Sequence, residues 1–509
     1  MKADHPALTL PREQTILYRN IAVVYIIFYA AIKIVFIFSG YNLFTEEAQY
    51  WLWSRYPDWS YYSKPPMIAW VNYLTGFIGY HDSIIRLTAL LFGFGTLYMV
   101  YKVSLLLFRD TRIAYLAALF LSVSPYFILA STFFTTDSLL LFFWIVTGYF
   151  FIRSILHNGL KDWILAGSFF GLGCLSKYSM IFFLFAFLPL IFMQSRAKYV
   201  KGIVAFFTVG AILFFPVIYW NYLHEWVTFK HVLALAYEGD EQFSFRRSLL
   251  FVGEYLGGVI LVTSPFLLYL LYWFRGVLTI VSGNEVVERR EILWLTVPVT
   301  GTVVVFLLMS IFKRTEVNWG AMSYISLAIV LAYLTVKGDG YLSGLSSAGI
   351  TFLLLLLLLF PRAWDRLGYS EVVPLEFDSM KRLAGWQDLA IKVSALQKQY
   401  PGAPVILTDS YHVASEIAFY GRMDDVYCLN LGRRMNQFDL WRIRKGFQNA
   451  AHRAVYVTEL SYLLEGIDYE TVEAKMTFPV IYRGSVIRTF NIFVLKEFSV
   501  KRNDTFDAY

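Results

Sequence analysis

Two adjacent acids and a lysine stand out in the stretch from Tyr41 to Trp70, YNLFTEEAQYWLWSRYPDWSYYSKPPMIAW, which lies between two long apolar runs. A carboxylate such as Glu46 or Glu47, held at a water-facing membrane boundary, can take a proton from a hydroxyl that becomes a nucleophile. Lys64, fixed before two prolines, can stabilise the negative charge of a phosphate leaving group. Acids of this kind also stabilise the first turn of an interfacial helix. Residue chemistry alone leaves both interpretations of the acids open.

Aromatic residues fill the rest of this stretch. Tyr50 follows Glu46 by four positions and would share its face of a short helix. Tyr62 lies two residues before Lys64. Tyr and Trp rings suit the membrane–water boundary, so we expect most of them to be anchors and some to line a lipid entry.

Further acids and cations lie at the ends of other apolar runs. Asp137 opens a run after STFFTT. Like the first two acids, it could have the purely structural role of stabilising a helix N-terminus. The cations could bind lipid headgroups singly, or line a phosphate-handling cavity together. The remaining polar and aromatic candidates at these ends are Lys177, Tyr178, His224, Glu225, Arg314, Asn318 and Trp319.

The composition indicates a polytopic membrane protein. Of 509 residues, 58% are hydrophobic and only 16% are charged, and the mean hydropathy is +0.54. The net charge of +7 comes from cations between apolar runs, which indicates membrane topology rather than nucleic-acid binding. Cys174 and Cys428 form neither a disulfide framework nor a metal-spacing motif. The N-terminus lacks a cleavable signal pattern, so the first span is expected to be retained.

The apolar runs predict about 11–13 transmembrane helices. They lie near 21–39, 84–107, 113–131, 137–156, 161–176, 178–194, 200–220, 248–274, 292–312, 320–336 and 344–361. The positive-inside rule places the N-terminal tail, 1–20, in the cytoplasm. The transmembrane domain is then 21–361. Its first loop, 40–83, and the polar candidates above all face the external side.

After the last span the pattern changes to alternating strands and helices. This predicts a small extracytoplasmic α/β domain over 373–509. It has no glycine-rich phosphate loop, because Gly432 is followed by Arg433 and Arg434.

Five motifs follow one another in a recognisable order: EEAQYWLWS, YYSKPPMIAW, TTDSLLLFFW, GLGCLSKYS and RTEVNW. Together they resemble bacterial polyprenyl-phosphate-dependent glycosyltransferases of the GT-C superfamily. The resemblance is to the group that contains the lipid A aminoarabinose transferase, its galacturonic-acid-transferring relatives and the protein mannosyltransferases. It covers about the first 320 residues, and the C-terminal part also resembles the soluble end of bacterial members.

The resemblance implies roles for individual residues. The first-loop catalytic acid falls on Glu46, where the family usually has aspartate, and the second acid on Glu47. The donor-phosphate lysine falls on Lys64. The acid at the head of a later span falls on Asp137. The cation between two spans falls on Lys177, and the basic residue before the Asn-Trp segment on Arg314.

The resemblance also raises the question of a divalent metal ion. Some relatives carry a metal-binding acid directly before Lys-Pro-Pro, where this chain has Ser63. His224 and Glu225 are the remaining candidate ligands.

The function predicted is transfer, with inversion, of a sugar from a polyprenyl (undecaprenyl) monophosphate to an envelope acceptor in the bacterial inner membrane. Lipid A, a lipopolysaccharide core sugar, another glycan or a protein hydroxyl are possible acceptors, and nucleic acid is not an expected partner. One alternative is a lipid-linked-sugar flippase or transporter, which would show midplane charges and inverted repeats. Another is a membrane anchor for an active C-terminal domain.

Overall fold

A computed structural model describes residues 12–192, 196–237, 244–263, 286–338, 340–368, 373–400, 402, 404–430, 434–445, 453–463 and 465–500. In the membrane part, the helices are α1 Arg12–Ile37, α2 Thr45–Ser54, α3 Met67–Gly76, α4 Asp82–Phe108, α5 Thr111–Ser122, α6 Pro125–Ala130, α7 Thr136–His157, α8 Leu160–Cys174, α9 Phe182–Phe192, α10 Val200–Leu223, α11 Val227–Tyr237, α12 Phe245–Val262, α13 Val286–Ser310, α14 Tyr324–Lys337, α15 Tyr341–Leu359 and α16 Pro361–Arg366.

Within the described residues, five helical stretches are long and apolar enough to cross a membrane. They are Ile16–Ile37, Asp82–Phe108, Thr136–His157, Val200–Leu223 and Glu291–Ser310. Shorter apolar helices accompany them, including those over Thr111–Ser122 and Ala321–Lys337. The prediction of a helical polytopic protein is confirmed.

The predicted span at 113–131 is wrong in one respect, because the structure breaks it into two helices. Helix α5 ends at Ser122, and α6 starts at Pro125. A proline lacks the N–H that would continue the first helix, but its fixed φ suits the first turn of the next one. The predicted span 248–274 is described only as far as Thr263, and its remainder lies outside the described residues.

The C-terminal domain contains helices α17 Trp386–Gln399, α18 Tyr411–Gly421 and α19 Gln437–Lys445. Its strands are β1 Val405–Thr408, β2 Val426–Cys428, β3 Arg453–Thr458, β4 Ile467–Tyr482 and β5 Ser485–Val500, in the sheet order β2-β1-β3-β5-β4. Strands β2, β1 and β3 are parallel, whereas β5 and β4 pair antiparallel. The predicted alternation is confirmed for every element except β4.

Strand β4 has no counterpart among the predicted elements. Most of its first half is exposed and carries Asp, Glu and Thr, so it lacks the apolar alternation of a half-buried strand. It forms a hairpin with β5 through Arg483 and Gly484, which both have positive φ.

The C-terminal domain docks directly on the first loop of the membrane part. The backbone N–H of Trp386 donates to Oδ1 of Asn42 at 3.0 Å. The N–H of Leu43 donates to the Tyr420 hydroxyl at 2.7 Å. Helices α2 and α18 pack together through Trp51 and Phe419, whose ring centres lie 4.9 Å apart, edge to face. The loop and the domain therefore lie on the same side of the apolar helices.

Candidate active site

Glu47 fixes helix α2 to the rest of the membrane part. Its carboxylate is fully buried and accepts backbone N–H bonds from Phe44 and Phe134, both at 2.9 Å. Nε of Arg86, also fully buried, lies 3.6 Å from the same carboxylate. Arg86 in turn donates to the backbone carbonyls of Tyr41 and Asn42. Glu47 thus joins the loop to the segment that precedes α7.

Glu46 has a different environment, although it is the neighbouring residue. Successive helix positions are rotated by about 100°, so Glu46 is not drawn into the Arg86 contact. It is only partly buried, and its Oε2 accepts the Tyr50 hydroxyl at 3.2 Å. Tyr50 itself is buried and fixes the orientation of this carboxylate.

Asp137 and Lys177 form an ion pair at the starts of two membrane segments. Nζ of Lys177 lies 2.6 Å from Oδ1 of Asp137, which also accepts the Tyr126 hydroxyl at 2.7 Å. Thr135 caps α7 by accepting the N–H of Asp137. Lys177 precedes the 3₁₀ turn Tyr178–Ile181, so a break between helices presents the lysine to the acid.

Lys64 lies within electrostatic range of all three of these charged groups. Burial, and then the positive charge of Lys177, lowers the pKa of its ammonium group, while Glu46 and Asp137 oppose that shift. Within the described part of the chain, no hydrogen bond or ion pair engages this ammonium group. Glu46, Lys64, Asp137 and Lys177 thus form one group, which we name the acid–lysine cluster.

Two predicted aromatic residues flank this cluster. The Tyr178 hydroxyl lies 3.4 Å from that of Ser60. Tyr62 is buried, and its backbone N–H donates to Oε1 of Gln437, in the C-terminal domain, at 2.7 Å. Tyr178 therefore contacts the segment that leads to Lys64, and the soluble domain holds the backbone of that segment at Tyr62.

The structure does not bring the predicted residues after α13 into the cluster. Arg314 is largely exposed and pairs with Glu254 at 2.9 Å. Asn318 is exposed. Trp319 is partly buried and lies 4.8 Å from the ammonium group of Lys313. Among the described residues no contact joins Arg314 to Lys64, and the guanidinium pairs with Glu254 instead.

Comparisons with known proteins find similar sequences and a similar fold. Residues 63–220 match the family model described as dolichyl-phosphate-mannose-protein mannosyltransferase. The lipid A galacturonosyltransferase RgtD of Rhizobium johnstonii is 28% identical over 399 residues, which cover 77% of this chain and 80% of that protein. ArnT of Cupriavidus metallidurans in the apo state superimposes with a TM-score of 0.60 at 13% identity, covering 94% of this chain and 98% of ArnT. Its structure bound to undecaprenyl phosphate gives 0.59 at 15% identity, covering 93% and 98%.

The chain is similar in sequence to these glycosyltransferases and shares the fold of ArnT. It is a multi-pass membrane protein with a small C-terminal sheet domain, as the sequence predicted.

The predicted metal ligands, His224 and Glu225, do not fit a metal ion. Nδ1 of His224 lies 2.8 Å from the carbonyl oxygen of Trp220, and the two rings stack at 3.8 Å. Glu225 is exposed and has a positive φ of 55°. Across the described residues, no group of three or more His, Cys, Asp and Glu could hold a metal ion. No step of the reaction is therefore assigned to a metal.

Several residues near the acid–lysine cluster had no signal in the sequence. Tyr126 is one of many aromatic residues in apolar runs, and only the fold shows that its hydroxyl meets Asp137. Tyr411, at the start of α18 in the soluble domain, lies within electrostatic range of Tyr50. His231 and Arg434 act on each other and lie near Lys64. They come from distant segments, so sequence spacing could not group them.

Proposed function

We propose that this protein is a GT-C glycosyltransferase that transfers a sugar from a polyprenyl monophosphate to lipid A. The observation that supports this most strongly is the acid–lysine cluster, in which a partly exposed carboxylate lies within electrostatic range of a lysine that has no hydrogen-bond or ion-pair partner among the described residues. RgtD, which transfers galacturonic acid to lipid A as its name states, makes galacturonic acid the first sugar to test.

Lys64 is proposed to hold the phosphate of the donor. The sugar leaves that phosphate when the bond between the anomeric carbon and the phosphate oxygen breaks, and the phosphate keeps the electron pair. An ammonium group in a partly dehydrated site stabilises this charge far better than water would. Lys177 adds a second positive charge. Asp137 accepts a hydrogen bond from it and is itself held by the Tyr126 hydroxyl.

Glu46 is proposed to act on the acceptor. A hydroxyl acceptor would give its proton to the Glu46 carboxylate as its oxygen forms the new bond to the anomeric carbon. Attack from the face opposite to the phosphate inverts the configuration. If the acceptor oxygen belongs to a phosphate, it is already ionised, and Glu46 orients it instead. Tyr50 positions this carboxylate.

The remaining predicted residues have supporting roles in this proposal. Glu47 positions α2 from its buried site. Tyr62 and Tyr178 line the two ends of the Lys64 segment. Arg314, Asn318 and Trp319 lie outside the acid–lysine cluster, so we assign them to the surrounding surface.

The orientation is part of the proposal. The inner membrane of a bacterium would hold 21–361, with 1–20 in the cytoplasm. The first loop, 40–83, and the domain 373–509 would be periplasmic, where a lipid-linked donor meets the acceptor. The docking of this domain on the loop supports a common side for both.

A cell-based comparison tests the proposed function. Lipid A from cells that lack the gene, from complemented cells and from cells that carry Glu46→Gln is analysed by mass spectrometry. The expected result is a sugar-bearing lipid A in the complemented cells alone, with equal amounts of both protein forms in the membrane. Identical lipid A in all three strains would reject lipid A as the acceptor.

A further inference from the structure

The segment that carries Lys64 connects the soluble domain to the ends of the spans. At one end, the Tyr62 N–H donates to Gln437 of the C-terminal domain at 2.7 Å. At the other, the Met67 N–H donates to the carbonyl oxygen of Leu175, beside Lys177, at 2.9 Å. Lys64 therefore lies between the aqueous domain and the membrane helices.

His231 approaches the same segment from helix α11. The Thr228 hydroxyl donates to the carbonyl oxygen of Tyr61 at 3.0 Å in a buried contact. His231 lies three residues later, on the same helix face, and its ring lies 4.6 Å from that of Tyr62. Nδ1 of His231 is buried and has no hydrogen-bond partner within the described residues.

The soluble domain places Arg434 within electrostatic range of His231. Met435, the next residue, packs with Leu440 against the apolar cluster of Tyr62, Trp220 and Val227. A hydrogen bond between Asn436 and Asp439 fixes the start of α19. The backbone N–H of Asn436 donates to the Asp439 carboxylate at 2.7 Å. The backbone beside Arg434 is therefore anchored against the Lys64 segment.

The topology of the sheet independently points to this edge. Strands β1 and β2 are parallel neighbours, so the segments that follow them emerge at the same edge. The segment after β1 leads to Tyr411, which lies within electrostatic range of Tyr50. The segment after β2 leads to Arg434, which lies within electrostatic range of His231. In open α/β sheets, ligands bind at the carboxyl ends of the strands. Here that edge faces the acid–lysine cluster.

The charges around His231 favour an anion. Burial, followed by the charges of Arg434 and Lys64, lowers the pKa of His231 to about 4. Its imidazole is therefore neutral at physiological pH and can donate one N–H. An arginine beside it offers a planar fork that matches the oxygens of a phosphate.

We propose that Arg434, together with His231, forms an anion subsite that binds a phosphate group of the acceptor lipid. The donor phosphate is attached to a polyprenyl chain in the membrane and is met by Lys64 at the span ends. Arg434 belongs to the aqueous domain, so the phosphate it meets is carried by the head group of the acceptor. This inference rests on the proposed function and makes the C-terminal domain a part of the acceptor site.

The test uses the purified full-length protein and two acceptors, lipid A that retains its phosphates and the same lipid A after phosphatase treatment. Arg434→Gln, Arg434→Lys and His231→Gln are compared with wild type. Lys392→Gln, an exposed position on α17, is the matched control. Transfer kinetics, direct binding of each lipid A form and binding of undecaprenyl phosphate are measured, with thermal unfolding as a check on folding.

Arg434→Gln should raise the KM for phosphorylated lipid A roughly tenfold, as expected for the loss of a charge-assisted hydrogen bond. It should leave undecaprenyl phosphate binding unchanged and should abolish the preference for the phosphorylated acceptor. Arg434→Lys should recover part of the affinity, and His231→Gln should show a smaller change of the same kind. Lys392→Gln should match wild type.

Three results would overturn the inference: equal kinetics of Arg434→Gln and wild type, a loss of undecaprenyl phosphate binding in Arg434→Gln, or a wild type that binds both acceptors equally. If Arg434→Gln does not fold, the same criteria apply to His231→Gln. Absence of transfer by the wild type would instead reject the proposed function, and direct lipid A binding would still decide the role of Arg434.

Discussion

Glu46 and Glu47 are adjacent in sequence but differ in every contact that matters for chemistry. Glu47 has two backbone N–H donors and Arg86 around it, and no exposure to solvent. Glu46 has one tyrosine hydroxyl and partial exposure. The sequence could identify the acid pair, but only the packing of α2 separates a positioning acid from one that can meet a substrate.

Substitution of Glu46 should therefore affect the reaction and not the fold. Glu46→Gln keeps the shape but loses the base, so we expect kcat to fall by roughly 10²–10⁴-fold with unchanged binding of undecaprenyl phosphate. Glu47→Gln is the matched control, because it weakens a buried ion pair and should lower the melting temperature. A Glu46→Gln protein with wild-type kcat would exclude Glu46 as the base.

The lowered pKa of Lys64 predicts a pH dependence for donor binding. Phosphate binds the protonated lysine, so the affinity is constant below the pKa of the free enzyme and falls above it. The fall should be about tenfold per pH unit until the raised pKa of the complex is reached. The measurement is the Kd of undecaprenyl phosphate between neutral and alkaline pH. Lys64→Arg should remove this decline because arginine stays protonated. An identical decline in Lys64→Arg would assign the titration to another group.

At the scale of elements, the contact between α2 and α18 positions the loop that bears Glu46. Helix α18 carries Glu416, a fully buried carboxyl group with no hydrogen-bond partner for either oxygen within the described residues. Burial, and then the nearby charge of Glu47, raises the pKa of Glu416 well above its ordinary value, while Arg488 and Arg86 oppose the shift. The group is therefore protonated in the folded protein under conditions where the unfolded chain is ionised.

This raised pKa gives a stability prediction with a definite sign. The stabilising effect of the protonated Glu416 is complete below its unfolded-state pKa near 4.5 and is lost as the pH rises toward the folded-state pKa. In that window, wild type should lose about 1.4 kcal/mol per pH unit relative to Glu416→Gln, which cannot ionise. Melting temperatures of both proteins across this range provide the measurement. Parallel pH profiles would contradict a protonated Glu416.

The elements themselves were predictable where the pattern was strong. Long apolar runs and the alternation of β1, α18, β2, α19 and β3 come from local periodicity, which acts within one segment. The break at Pro125 and the polar strand β4 were missed, because an apolar run conceals a proline break and an exposed hairpin strand needs no apolar face. Arg434 and His231 lie about 200 positions apart in the sequence and come together only through tertiary contacts. Local periodicity cannot predict such contacts.

At the scale of the whole molecule, the arrangement predicts which parts of the chain face the periplasm. Both native cysteines are buried, so single new cysteines can be labelled with little background. Lys392→Cys, in the soluble domain, should react with a membrane-impermeant maleimide in intact cells whose outer membrane is permeabilised. Lys161→Cys, in the first turn of α8, should react only after lysis. The reverse pattern would invert the proposed orientation and place the acid–lysine cluster in the cytoplasm.

The most direct test of the central claim is a reconstituted transfer assay with purified protein. Undecaprenyl-phosphate-linked galacturonic acid and lipid A are supplied as the substrates, and both products are measured together with the anomeric configuration of the transferred sugar. The account predicts one undecaprenyl phosphate released for each sugar transferred, an inverted configuration, and almost no product with Glu46→Gln or Lys64→Ala. Full transfer by these two variants, or retention of configuration, would contradict it.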